Sequence, residues 1–285
     1  MAPSLGGVAL YFGEAPNLGS MNATIAPHSV TAALVLSLVV ASAVMATAFL
    51  LGLARGRVRD VDVFWPLGFL AIAGATWLYQ TRPYHASALT VLVIILAWSL
   101  RLGGYLAWRS RGEPEDARYA ALIGDRRGAA RITRLITVVY GLQGIIMVIV
   151  ASPLVVAISE NTAFTPQLLI GAFLSVLGIG LEFLADAQLA HFRKQNRQGV
   201  MQTGLWAHSR HPNYLGEILV WWGLFFIAAS TWQGVLTIVS PITMTWLLIK
   251  VSGKELLERH LIEVKPGYHD YVERVPGLMP SWRRR

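Results

Sequence analysis

Seven runs of almost uninterrupted apolar residues divide this chain. They cover about residues 30–53, 61–79, 88–108 (with Arg101 inside), 136–158, 166–180, 214–232 and 235–251. Most approach the ~20 residues a helix needs to cross a bilayer's hydrocarbon core. In that medium every backbone amide must be satisfied within the element, so runs of this length predict helices. The expected fold class is therefore an all-α integral membrane protein. It is one multi-pass domain over residues 1–285, a bundle of about seven transmembrane helices without linker or internal repeat.

Composition agrees with that solvent. Of 285 residues, 54% are apolar and 14% charged, and the mean hydropathy is +0.51. The net charge of +8 belongs to membrane loops and anionic lipid rather than to a nucleic-acid face. Of the 24 lysines and arginines, all but Arg82 and Arg101 fall in segments that share one side if the helices alternate. The positive-inside rule then puts the N-terminus outside and the C-terminus in the cytoplasm, with the cell membrane as location. Residues 1–27 lack the basic start of a secretory signal. With no cysteine, disulfides, thiolate metal sites and cysteine nucleophiles are excluded.

Ionisable groups within apolar runs cost about 2.5–3.5 kcal/mol each on insertion scales and generally face a bundle interior. Glu182, Asp186, Leu189 and Arg193 follow one helical stripe. Arg101 sits near the inner end of the third run and Glu217 one turn into the sixth. Between these runs lies a polar turn, Gly204-Leu205-Trp206-Ala207-His208-Ser209-Arg210-His211-Pro212-Asn213-Tyr214, dense in directional hydrogen-bonding groups. Register-fixing ion pairs account for any one of these residues alone; their convergence points to a polar cavity open to the cytosol.

Several chemistries fail on residues. Gly103-Gly104 lacks the strand and third glycine of a dinucleotide-binding turn, and no His-Glu-x-x-His pattern occurs. His208 and His211 straddle a turn and make a poor metal pair, so no metal is expected. A cavity rich in Arg, His, Asn and Tyr suits an anionic cofactor from water and a lipid-soluble substrate from the bilayer. Arginine pairs bidentately with phosphate or carboxylate, and an asparagine amide both donates and accepts.

The turn, together with Gly216-Glu217 and Trp221-Trp222-Gly223, resembles the C-terminal domain of the steroid 5-alpha-reductase family, in particular its bacterial branch. Asp186-Ala187-Gln188 with Phe192-Arg193, Lys254-Glu255-Leu256-Leu257-Glu258 and Tyr268-His269-Asp270-Tyr271 resemble its flanks. The resemblance is strong over residues 175–285, and earlier it rests on the helix pattern and Trp98-Ser99-Leu100-Arg101. It implies NADPH held from the cytoplasmic side by Asp186, Arg193, Asn213 and Glu217, with Arg210, His211, Tyr214, His260 and Tyr271 as further cofactor candidates. The implied reaction is hydride transfer to the β carbon of a steroid-like or other lipid enone, with an acid polarising the carbonyl.

Trp98 stands where the steroid enzymes carry a tyrosine three residues before an arginine, so the acid must come from elsewhere. Tyr105, Tyr79 and Tyr84 are the candidates. Isoprenylcysteine and phospholipid methyltransferases share the Arg-His-Pro-x-Tyr turn and use S-adenosylmethionine, which gives the alternative function; Asn213 before Gly216-Glu217 favours the reductase. A non-catalytic lipid-binding membrane protein is a second alternative.

Overall fold

In the computed structural model, residues 29–80, 86–195, 199–251, 258 and 261–280 are described, and every regular element among them is helical. Candidate residues Tyr84 and His260 lie outside the described residues. Helix α1 (Val30–Arg55) starts at Ser29, whose hydroxyl accepts from the Ala32 amide, and ends at Gly56 with φ +67°. Helices α2 (Val61–Tyr79) and α3 (Ala86–Arg109) follow. Two short helices, α4 (Ala117–Ile123) and α5 (Gly128–Arg134), lead through a π-helical stretch into α6 (Leu142–Glu160). Then come α7 (Pro166–Gln195), α8 (Pro212–Ala228), α9 (Trp232–Val235), α10 (Val239–Trp246) and α11 (Tyr268–Arg274).

Six of these segments, not seven, are long and apolar enough to cross a membrane. The difference is α8. Pro212 starts it at the first helical position, and the chain leaves it at Ala229 for a turn into Thr231, which caps α9. Its 17 residues span about 25 Å, short of the ~30 Å hydrocarbon core. The last apolar run is likewise broken, into α9, a 3₁₀ turn, α10 and a π-helical end at Val251.

Side-chain and backbone bonds gather the loops at two ends of the bundle. At one end Gln80 Nε2 donates to Ser159, the Ser87 amide to Thr162 O, and Thr165 pairs with Ser230. At the other, Arg57 donates to Ser110 O and Glu115 accepts from the Val58 and Arg59 amides. That second, basic end also holds the polar turn and α11. Between the ends, Trp65, Phe69, Trp98 and Trp221 form an edge-to-face aromatic chain that ties α2, α3 and α8 together.

The α7–α8 pair places the polar turn. Gly171, Ser175, Gly178 and Glu182 line one face of α7, opposite Gly223, Val220 and Gly216 of α8. The backbones touch. A Cβ on Gly178 would stand 2.5 Å from Gly216 O, and one on Gly216 would stand 2.7 Å from Glu182 N. Small residues let membrane helices approach this closely, since hydrocarbon supplies no hydrophobic drive to hold them. The crossing sets Glu182 beside the first turn of α8 and so assembles the carboxylates described next.

Candidate functional site

Arg101 is the centre of the site. Its Nη1 donates to Asp186 Oδ2 at 2.9 Å and its Nη2 contacts Glu182 Oε1. Both carboxylates are nearly buried, at 3% and 7% side-chain exposure. Burying charge in this way is tolerable only when each partner is paired. Trp98, one turn before Arg101, donates its indole N–H to Glu182 Oε2 at 3.1 Å. The residue one turn before Arg101 is therefore a donor committed to a buried carboxylate. From α8, Asn213 Nδ2 donates to Asp186 Oδ1 at 3.3 Å, and Glu217, one turn on, lies within electrostatic reach of Arg101, Glu182 and Asp186. Asn213 Oδ1 is buried without a hydrogen-bond partner among the described residues.

The polar turn is held by the tail. Arg210 donates Nε and Nη2 to the two oxygens of Glu258, at 2.8 and 2.9 Å, and Nη1 to the carbonyls of Val272 and Val275. His211 Nε2 meets Glu258 Oε1 at 2.7 Å and its ring stacks on Tyr214. Tyr271 donates its hydroxyl to Trp206 O at 2.6 Å, and Trp206 in turn donates to Ala185 O on α7. These three side chains fix the turn against α7 and α11 and have little capacity left for a ligand.

Burial raises the Glu258 carboxyl, but the bonds from His211 and Arg210 outweigh it and hold the group down at about 2 against an ordinary 4.5. A depressed folded-state pKa contributes stability that is present above pH 4.5 and lost as pH falls towards 2. We expect Glu258→Gln to remove that acid limb from a thermal-stability profile. At neutral pH it should cost about 3 kcal/mol by leaving Arg210 unpaired. An unchanged acid limb would refute the assignment.

A second polar group lies beside the first. Tyr119 Oη is 2.5 Å from Asp62 Oδ1, and Arg118 Nη2 is 3.2 Å from Asp62 Oδ2. Arg118 is also bound to Asp116 through its amide, Nε and Nη2. Arg109, at the end of α3, lies within electrostatic reach of Asp62, Asp186, Tyr105 and Tyr214, so one guanidinium acts on both groups at the basic end.

The structure thus brings Asp186, Asn213 and Glu217 together, while Tyr214 stacks on His211 and Tyr105 lies under Arg109. Arg193 is exposed at the end of α7, and Tyr79 lies at the opposite end of α2 from Asp62. Tyr119 is the residue that sequence reasoning passed over. It sits in the long hydrophilic segment after α3, and only folding carries it back to Asp62. The single available signal was Asp62 itself, a carboxylate at the mouth of an apolar helix in need of a partner.

A multi-pass helical membrane protein with a buried Arg–carboxylate–Asn cluster beneath a polar turn is the class that fold and site define. The chain belongs to the DUF1295 family, described as a protein of unknown function, which it matches over residues 48–275. It is also similar to mouse (Mus musculus) 3-oxo-5-alpha-steroid 4-dehydrogenase 2, at 26% identity over 113 residues, 39% of this chain. That match spans 41% of the mouse enzyme's length. No solved structure matches the chain.

Proposed function

We propose that this protein is an NADPH-dependent membrane reductase acting on the conjugated double bond of a steroid-like or other lipid enone. The observation that carries this reading is Asn213, whose amide donates to Asp186 while its buried oxygen lacks a partner. A buried polar atom left unpaired costs about 1–3 kcal/mol, and a carboxamide N–H from the nicotinamide ring would satisfy it. Asp186, itself fixed by Arg101, accepts from Asn213 and so sets which way the amide faces. Glu217 would accept from ribose hydroxyls, and the exposed Arg193 would meet phosphate at the cytoplasmic surface. Tyr214 forms a flat wall with His211. NADPH supplies the hydride when bound; the chain's own contribution is to orient it and to exclude water. An apolar groove of about 410 Å³ between α1 and α2, lined by Val40, Val44, Phe64 and Leu67 among others, is suited to a lipid's hydrocarbon part.

The test is calorimetry on purified full-length protein with NADPH and with S-adenosylmethionine. We expect the dinucleotide to bind more tightly, and Asn213→Ala to weaken it about tenfold, the worth of one hydrogen bond. Tighter binding of S-adenosylmethionine would replace the reductase with a lipid methyltransferase. Trp98 favours a second reading, a lipid-binding protein without catalysis, because its indole N–H is spent on Glu182. That reading predicts enone binding without NADPH binding.

A further inference from the structure

Four arginines at the basic end take no part in the cluster around Arg101 or in the turn held by Glu258. We infer that Arg126, Arg127, Arg131 and Arg134, at the elbow between α4 and α5, form a binding site for the phosphate of an anionic phospholipid headgroup. The inference stands apart from the reductase reading.

Two glycines make the elbow. Helix α4 stops at Gly124, φ +59°, and α5 starts at Gly128, φ +55°, left-handed positions that suit a residue without Cβ. Residues 125–134 read Asp-Arg-Arg-Gly-Ala-Ala-Arg-Ile-Thr-Arg, four arginines against one carboxylate. Arg127, Arg131 and Arg134 are spaced i, i+4 and i+7, which sets them along one stripe of α5 and its cap. The end of α4 orients two of the guanidiniums. Arg126 Nη1 donates to Ile123 O at 3.0 Å, and Arg134 Nε donates to Leu122 O at 3.1 Å. Each bond uses one N–H of a five-donor fork, so donors remain for a phosphate.

Arg126, Arg127 and Arg131 are exposed, and Arg134 is half-buried. Among the described residues no carboxylate pairs with any of the four. Elsewhere at this end arginines are spent within the protein: Arg57 on Asp60 and Ser110 O, Arg118 on Asp62 and Asp116, Arg210 on Glu258.

Depth decides what meets the free set. Helix α5, the π-helical stretch and α6 make one segment of 33 residues, Gly128–Glu160. At ~1.5 Å per residue that is about 50 Å of helix against a hydrocarbon core of ~30 Å, so its ends lie among headgroups. The border is sharp. Ile136, Leu142 and Ile145 are exposed apolar side chains that belong against acyl chains. Arg134 lies two residues before Ile136, and Arg127 about 10 Å further out. Leu122, whose carbonyl holds Arg134, is also exposed and marks the acyl boundary at the same level. A lipid's own acyl chains deliver its phosphate to this depth, where the arginine fork takes two phosphate oxygens. Each juxtamembrane arginine is worth about fivefold in affinity for anionic lipid.

The experiment uses full-length protein in neutral detergent, titrated with phosphatidylglycerol or phosphatidylcholine in mixed micelles. Native mass spectrometry reads bound lipid, and thermal unfolding reads stability. Phosphatidylglycerol should bind more tightly than phosphatidylcholine and raise Tm; equal binding of the two would overturn the proposal. The fourfold variant Arg126→Gln, Arg127→Gln, Arg131→Gln, Arg134→Gln should lose on the order of 100-fold in phosphatidylglycerol affinity. The variant Arg283→Gln, Arg284→Gln, Arg285→Gln removes charge elsewhere and should lose little. An equal loss in both would reduce the effect to general attraction and remove the site. Asp125→Asn should tighten phosphatidylglycerol binding about fivefold, a gain that misfolding cannot produce; unchanged binding there counts against the elbow. Inorganic phosphate should neither raise Tm nor displace the lipid. If it does both, the elbow takes a soluble anion and the phospholipid assignment falls.

Discussion

Arg101→Met is expected to destabilise the protein by about 3–5 kcal/mol, the cost of leaving a buried ion pair with one partner. The effect should be large because one guanidinium answers for both Glu182 and Asp186, with Glu217 close by. Methionine restores the volume but not the charge. In the triple variant Arg101→Met, Glu182→Gln, Asp186→Asn, most of the loss should return, since Trp98 and Asn213 can still hydrogen-bond to the neutral amides. Thermal unfolding in detergent measures both. A single variant as stable as the wild type would show that the carboxylates are satisfied without Arg101. A triple variant that stays as unstable as the single one would show that packing, not charge, is the role of this residue.

Gly216→Val should be nearly as damaging, through a different cause. Its Cβ would stand 2.7 Å from Gly178 O and from Glu182 N, and neither is the flexible end of a side chain. The helices must separate, and overpacking of this kind costs about 3 kcal/mol or more. Separation also moves Glu217 and Asn213 away from Arg101 and Asp186, so under the proposed function NADPH affinity should fall with stability. By contrast, Gly180→Val, on the facing helix α7 at a position with open space around a Cβ, should leave both unchanged. Equal behaviour of the two variants would refute the close crossing as the cause.

The gap between the two levels of reading follows from the same crossing. Gly216 is legible in the sequence only as part of the motif that carries Glu217. Its packing role appears only when Gly178 stands opposite. The spacing of Gly171, Ser175 and Gly178 was in the sequence, but small residues at helical spacing name no partner helix. Arg210, His211 and Tyr271 show the converse. Their hydrogen-bonding groups marked the turn as special, while the groups they bind, Glu258 and the carbonyls of Val272, Val275 and Trp206, lie tens of residues away in the chain.

What the sequence alone determined is whatever the solvent dictates locally. Apolar runs of bilayer length must be helices, because hydrocarbon offers no partner for a free amide. Ionisable groups within those runs must turn inward, because exposure to lipid is costly. Those two facts yield the helical class, the inward stripe of Glu182 and Asp186, and the polar turn above it. The tertiary structure decided which helix lies against which. That choice depends on the fit of Gly178 to Gly216 and of Phe69 to Trp98, and long-range shape is not written in any one run. It is why Arg101 answers the carboxylates of α7, why α8 packs along α7, and why Tyr119 closes on Asp62.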